Sequence, residues 1–143
     1  MLNENMIDAM VHAALDIIRN AYAPYSHVGI GACVLASDGT LYAGCNIENA
    51  VRGLSVCAGE VALYRAIADG KREFDGIAVI SDSQRPFAPN GALCQILSEF
   101  DVPEVVMADM NGNVKVVPLS DLLPYGTETR ENGREVEPTD EDE

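Results

Sequence analysis

A cysteine and a glutamate stand three residues apart in the segment CAGEVALYRAIADG, residues 57–70. Thiolates and carboxylates are side chains that proteins use to hold metal ions, to attack carbon and to move protons. Residues three apart in a helix lie on one face, so Cys57 and Glu60 would act at the same place. Ala58 and Gly59 between them carry no functional group. This helix start therefore offers one thiol and one carboxylate.

The position of Cys57 leaves two interpretations open. Backbone N–H groups at a helix start lower the pKa of a thiol placed there, which would make Cys57 a polarised thiol. The alternative is a packing residue, because free cysteine is among the most buried residue types.

The hydrophobic pattern predicts the elements that position these side chains. Helical spacing of apolar residues predicts helices over residues 3–21, 56–68 and 89–100, and a short helix at DLLP. Strands are predicted over residues 28–36, 41–47, 74–83, 102–109 and 113–120, the first two joined by an Asp-Gly turn. Strands separated by helices favour a three-layer α/β/α sandwich with a mixed sheet.

Composition bounds the class of protein. A chain of 143 residues predicts one domain, which we place at residues 1–125, followed by an acidic disordered tail at residues 126–143. The net charge is −14 and the chain has two lysines, which argues against binding nucleic acid through phosphates. No apolar run is long enough to span a membrane and the first residues do not resemble a signal peptide, so a cytoplasmic protein with free cysteines is expected.

Several segments together resemble the short, zinc-dependent form of the cytidine deaminase family, over roughly residues 3–125. They are AYAPYSHVGIGA, DGTLYAGCNIENA, SVCAGEVALYRAIADG, PNGALCQILSEF and DLLP, in the family's order and with matching separations. The resemblance implies a five-stranded sheet between helices and a homotetramer or homodimer with sites at subunit interfaces. It also implies hydrolytic deamination, in which zinc held by cysteine or histidine activates water and a glutamate carries protons.

The chain departs from the family's pattern at the metal. The family's first zinc ligand falls on Cys57, its glutamate falls on Gly59, and its other two cysteines fall on Asn90 and Leu93. Leucine has no donor atom and an asparagine amide is a weak one, so we expect no zinc cofactor and no metal ligand at these positions. The alternative is a rebuilt metal site, for which the available side chains are Cys57, Glu60, Asn90 and Cys94, although Cys94 is better explained as a small buried side chain.

The nucleoside-binding segment is retained. The resemblance implies that Asn46 and Glu48 of NIENA hydrogen-bond the ribose hydroxyls, whereas the alternative is that Asn46 and Asn49 satisfy loop backbone. The family's aromatic residue against the pyrimidine is replaced by Val28. His12 and His27 are interpreted as packing or surface residues, since neither has a ligand or nucleophile partner at motif spacing.

Three functions follow as hypotheses, and the sequence leaves open whether the chain is an enzyme. The favoured one is a zinc-free relative, a pseudoenzyme that binds a nucleoside-like ligand or assembles as a non-catalytic subunit, alone or with an intact homologue. The second is a nucleoside hydrolase that uses the ribose-binding residues and a carboxylate, with Glu60 as a weak catalytic candidate. The third is an ordinary zinc-dependent cytidine deaminase, acting on cytidine or deoxycytidine.

Overall fold

The computed structural model describes residues 1–82, 87–128, 130–131 and 134–135 of the chain. A central mixed sheet lies between helices on both of its faces. The helices are α1 (Glu4–Ile17), α2 (Ala58–Ala68), α3 (Gly91–Glu99) and α4 (Leu119–Leu122). The strands of the main sheet are β1 (Ile30–Ala36), β2 (Leu41–Cys45), β3 (Phe74–Ser81), β4 (Glu104–Ala108) and β5 (Val114–Pro118). This confirms the predicted fold class and element order.

The sheet has the order β2-β1-β3-β4-β5. Only the β3–β4 pair is parallel among these neighbours, and α3 connects its two strands. The other neighbours are antiparallel, β1 and β2 through the predicted turn, where Gly39 has a φ of 91°. The connection spans residues 37–40, and a positive φ within it favours glycine, which explains the glycine of the Asp-Gly pair.

Two hydrophobic clusters cover the two faces of the sheet. On one face, Met10 and Ala14 of α1 are fully buried against β1, β3 and β4. On the other face, α2 and α3 pack with β1, β3 and β4 through residues that include Leu63 and Leu97. Because every residue of β3 from Gly76 to Ser81 is buried, this strand is a continuous buried run rather than an alternating one.

Glycine allows the closest approach between α1 and the sheet. A Cβ atom placed on Gly31 would lie 1.8 Å from the carbonyl oxygen of Ala14, which no side chain can accommodate. The backbone of α1 therefore rests directly on β1. This contact fixes where the loop that precedes β1 leaves the sheet.

Helix ends differ slightly from the prediction. α1 begins at Glu4, with Asn3 as its cap: Oδ1 of Asn3 accepts from the backbone N–H of Met6 at 2.9 Å. The helix ends at Ile17 and continues as a 3-10 turn over Ile18–Asn20. α2 ends where it was predicted to, before Gly70 with a φ of 90°.

The end of the chain is described only in part. Thr127 is held to α3 by two hydrogen bonds with the side chain of Gln95, each 3.0 Å long. Two short strands follow, β6 (Arg130–Glu131) and β7 (Arg134–Glu135), which pair antiparallel. The rest of the predicted acidic tail, and Ser83 at the end of the predicted strand 74–83, lie outside the described residues.

Within the described part of the chain, no helix is both long enough and apolar enough to cross a bilayer.

Candidate functional site

Four segments meet at one end of the sheet and form the candidate site. Ile47 exchanges two backbone hydrogen bonds with Val56, which brings the segment 46–48 beside the start of α2. Tyr22 pairs with the same segment and places the loop before β1 next to it. The start of α3 reaches the start of α2 through Leu93, which lies against Gly59. The predicted site residues are thus brought to neighbouring positions.

Cys57 and Glu60 interact with each other at the start of α2. Cys57 is the N-cap residue but makes no side-chain cap, and its Sγ donates to Oε1 of Glu60 at 3.4 Å. Burial raises the pKa of the Cys57 thiol to about 11, and the Glu60 carboxylate contributes in the same direction. The backbone N–H groups of Gly59 and Glu60 act the other way, as the helix-start argument predicts, but they are outweighed. Cys57 is therefore a protonated thiol at neutral pH, which favours the packing interpretation over the polarised one.

Asn90 caps its own helix. Its Oδ1 accepts from the backbone N–H of Leu93 at 2.9 Å, the arrangement that satisfies an otherwise unpaired donor at a helix start. Leu93 is 3% exposed and belongs to the hydrophobic cluster on the α2–α3 face. The two positions that the resemblance assigns to zinc thiolates are thus occupied by a cap and a core residue.

Cys94 is a core residue, and the two histidines lie at the surface. Cys94 is 1% exposed and faces the carbonyl oxygen of Pro89, with the pKa of its thiol raised by burial. This agrees with the expected small buried side chain. His12 and His27 are exposed, and all four cysteines are free, as expected.

Asn46 is buried and fully engaged with the backbone of the loop before β1. Its Oδ1 accepts from the N–H of Ile30 at 2.8 Å and its Nδ2 donates to the carbonyl of Val28 at 2.8 Å. This is the contact that the backbone alternative predicted. Asn46 consequently fixes the shape of the loop that carries Val28.

Glu48 holds the same loop from its other end. Its Oε1 accepts from the backbone N–H groups of Tyr25 and Ser26 at 3.0 and 3.1 Å. Hydrogen bonds from Ser26 lower the pKa of the Glu48 carboxyl, so that it is ionised and a strong acceptor at neutral pH. The side chain remains partly exposed, in contrast to Asn46.

Sequence reasoning missed two contacts of the site. Oδ2 of Asp82 accepts from the N–H of Gly29 at 3.1 Å and joins the loop before β1 to the end of β3. The contact between Gly59 and Leu93 joins the starts of α2 and α3. No motif signals the contact of Asp82 with Gly29, because the two residues are distant in sequence. The resemblance implies that positions 59 and 93 lie near each other, but it gives no sign that they pack in direct contact.

The side chains at the candidate metal positions do not fit a zinc ion. A structural or catalytic zinc needs at least three donor atoms arranged around one point. Across residues 1–82 and 87–128, no group of three or more histidine, cysteine, aspartate or glutamate side chains is placed to hold a metal. Of the three ligand positions, Cys57 carries a thiol, Asn90 uses its oxygen as a cap and Leu93 has no donor.

Comparison with known proteins extends the likeness over the whole domain. Residues 1–82 match the family model described as the cytidine and deoxycytidylate deaminase zinc-binding region. The cytidine deaminase of Sporosarcina psychrophila is 40% identical over 109 residues, covering 74% of this chain and 79% of that protein.

The chain belongs to the cytidine deaminase family.

Further members show the same relationship. The cytidine deaminase of Halalkalibacterium halodurans is 37% identical over 117 residues, covering 80% of this chain and 89% of that protein. The crystal structure of cytidine deaminase from Burkholderia pseudomallei has a TM-score of 0.82 at 41% identity, covering 88% of this chain and 100% of that chain. The architecture of the cytidine deaminase family is therefore retained across the domain.

These findings correct the favoured functional prediction. The predictions of a zinc-free pseudoenzyme, of a lost zinc site, of no cofactor and of a different hydrolase are contradicted by the relatives, which are named cytidine deaminases, and by the zinc-binding description of the matching model. Those predictions rest on the substitutions at the family's glutamate and zinc-ligand positions, whereas the likeness to cytidine deaminases covers most of the chain. Membership of the family implies a zinc cofactor. Within the described residues, however, the side chains at the three ligand positions do not supply the donor atoms that zinc needs.

Proposed function

We propose that this chain deaminates cytidine or deoxycytidine. The observation that carries the proposal is the likeness of nearly the whole domain to proteins named cytidine deaminases. In the reaction, water adds its oxygen to C4 of the pyrimidine and the bond from C4 to the amino nitrogen breaks. The products are uridine or deoxyuridine and ammonia.

The test is direct conversion of cytidine by the purified full chain, with and without added zinc, followed by chromatographic separation of uridine. Uridine formation that grows linearly with protein concentration is expected. The zinc content of the same preparation is measured by inductively coupled plasma mass spectrometry. Absence of uridine with zinc supplied and with folded protein would overturn the proposal.

Glu60 is the side chain we propose for proton transfer. It is the acidic residue in the first turn of α2, it is partly exposed, and its carboxylate lies at the site beside Cys57. A carboxylate in this position can take a proton from the attacking water and deliver it to the leaving amino group.

Replacing this carboxylate tests the assignment. Glu60→Gln should lower kcat by about 100-fold while the protein remains folded. The matched control is Glu4→Gln, which removes the acidic residue from the first turn of α1 and should leave the rate unchanged. Equal rates for the two variants would exclude Glu60 from proton transfer.

Glu48 is the residue we propose for recognition of the sugar. Its ionised carboxylate is partly exposed, and a carboxylate accepts well from a ribose hydroxyl. Asn46 contributes by holding the loop before β1, since both of its polar atoms bind loop backbone. A site that accepts from a hydroxyl rejects an analogue that lacks it.

The sugar assignment predicts a specific loss of discrimination. The wild type should have a lower KM for cytidine than for 3′-deoxycytidine, and Glu48→Gln should reduce that difference. Tyr25→Phe, which changes an exposed side chain of the same loop and keeps its backbone N–H, is the control and should retain the discrimination. Unchanged discrimination in Glu48→Gln would contradict the assignment.

We also propose that the chain forms a homodimer or homotetramer. Exposed apolar side chains are concentrated in segments 22–28 and 47–54, which pair through Tyr22 and Ile47. Exposed apolar surface of this kind is typical of an association site. Light scattering coupled to size-exclusion chromatography should give the mass of two or four chains. Leu54→Glu places a charge at a 65% exposed position of this surface and should lower the measured mass. A monomer at all concentrations would contradict this proposal.

A further inference from the structure

The starts of α2 and α3 interlock through one glycine and one leucine. A Cβ atom placed on Gly59 would lie 2.5 Å from Cδ2 of Leu93, 2.8 Å from its Cδ1 and 3.2 Å from its Cγ. Non-bonded carbon atoms rest at about 3.5–4.0 Å, so any side chain on residue 59 overlaps the isobutyl group of Leu93.

Leu93 has little freedom to move away. It is 3% exposed within the hydrophobic cluster on the α2–α3 face, where packing leaves few voids. Its backbone is fixed as well, because its N–H donates to Oδ1 of Asn90 at the start of α3. The space beside Gly59 is therefore reserved for Leu93.

The next residue has no such restriction. A step of one residue turns a helical side chain by about 100°, which takes residue 60 away from Leu93. The Glu60 carboxylate accordingly lies beside the Cys57 thiol, at 3.4 Å, and is partly exposed. With Leu93 in this position, the first turn of α2 has room for a carboxylate at position 60 but not at position 59.

We propose that Leu93 is a positioning residue, which determines that the carboxylate at the start of α2 is presented from position 60. Leu93 acts through its contact with Gly59, and a side chain is admitted at position 59 only when the one at position 93 is shortened. The inference extends the proposed function, since it concerns the placement of the acid at the same site. Its first test does not depend on deamination.

The first experiment is a thermal unfolding cycle of Gly59→Ala, Leu93→Ala and the double variant. Gly59→Ala should lower Tm through overlap, and Leu93→Ala should lower it by about 10 °C by leaving a cavity. The Tm of the double variant should fall by clearly less than the sum of the two single-variant decreases, because the methyl group introduced at position 59 enters the space vacated by Leu93. The control is Gly91→Ala in the first turn of α3, where a Cβ meets nothing within 4 Å and Tm should not fall. Additive losses would overturn the inference.

The second experiment asks whether the rescue is specific to Leu93. Gly59→Glu should lower Tm further than Gly59→Ala, and adding Leu93→Ala should restore part of that loss. Leu97→Ala removes another buried leucine of α3, whose atoms are not among those nearest to Gly59. Combining it with Gly59→Glu should therefore restore none of the lost Tm. Equal restoration by the two leucine variants would refute the assigned role of Leu93.

Cytidine conversion by the same variants separates this inference from the proposed function. If the wild type forms no uridine, the proposed function fails while the unfolding cycle still decides the role of Leu93. If the wild type forms uridine but the Tm losses of the single variants are additive, the proposed deaminase function is retained and the role assigned to Leu93 is rejected.

Discussion

At Cys57, two opposing effects act on one thiol. The N–H groups of the α2 start favour the thiolate, while burial and the neighbouring Glu60 carboxylate favour the neutral thiol. The combined effect of burial and the Glu60 carboxylate is the larger one, and the pKa of the Cys57 thiol is raised to about 11. A helix start thus does not suffice to activate a cysteine when the thiol is withdrawn from water.

This balance predicts slow alkylation of Cys57. With a pKa of about 11, only about 0.1% of the thiol is ionised at pH 8, so iodoacetamide should label it slowly. Glu60→Gln removes the nearby negative charge, lowers the pKa and should raise the labelling rate at pH 8 several-fold. Peptide mass spectrometry measures the rate, and Cys57→Ser identifies the labelled position against Cys33, Cys45 and Cys94, which are buried. A rate that does not change in Glu60→Gln would contradict the assigned effect of the carboxylate.

Asn90 shows how a position with a known role in a family can serve another purpose. Its side chain caps α3, so Asn90→Ala should lower the free energy of unfolding by about 1 kcal/mol in urea denaturation. Asn90→Asp keeps an acceptor at the cap and should retain most of the stability. Equal losses for the two variants would contradict the assignment of this stability to the hydrogen-bond acceptor of the cap.

Close contact between α1 and β1 is the feature that fixes the element arrangement on that face. Gly31 allows it, because a Cβ there would lie 1.8 Å from the carbonyl oxygen of Ala14. The obstacle is backbone, so it cannot rotate aside as a side chain can. Gly31→Ala should therefore cost about 3 kcal/mol or more in the free energy of unfolding, measured by urea denaturation. Gly53→Ala, with nothing within 4 Å of the added Cβ, should change it little.

The hairpin between β1 and β2 is attached to the segment after α2 by a charged pair. The Lys71 ammonium lies 2.6 Å from Asp38 Oδ2 and, together with Thr40, holds the pKa of the Asp38 carboxyl at about 2. A carboxyl with a depressed folded pKa contributes stability that is complete above its unfolded pKa and is lost as the pH falls toward the folded one.

Removal of this pair should change the acid limb of the stability curve. Between about pH 4 and pH 2, wild-type stability should fall more steeply than that of Asp38→Asn, because only the wild type has this carboxyl to protonate. Lys71→Met should also flatten the curve, since it removes the largest cause of the depressed pKa. Parallel curves from urea denaturation across this pH range would contradict the role of the pair.

The elements themselves were largely predictable from the sequence. Apolar spacing placed α1, α2 and α3 and all five strands of the main sheet in the right order, with ends displaced by a few residues. The ends were less accurate because a cap or a 3-10 turn depends on individual hydrogen bonds, such as the 3-10 turn that follows α1.

Net charge acts on the molecule as a whole. At −14, with 23 acidic and 9 basic residues, the folded chain repels itself, and salt screens that repulsion. Raising NaCl from about 0.02 M to about 0.5 M at pH 7 should therefore raise Tm, since the Debye length falls to a few ångströms. The control is the same salt change near pH 4.3, the isoelectric point of the sequence, where the rise should be smaller. Equal rises at both pH values would exclude self-repulsion as the cause.

The sequence by itself determined the fold class and indicated the family, and it proposed the positions of the candidate site residues along the chain. Those properties follow from local periodicity and from motifs read in order, which need no knowledge of three-dimensional contacts. The tertiary structure decided what the site residues do: it buried the thiol of Cys57, engaged Asn90 as a cap and placed Leu93 against Gly59. The reason is that burial, pKa and steric overlap depend on segments that are distant in sequence and meet only when the sheet and its helices have packed.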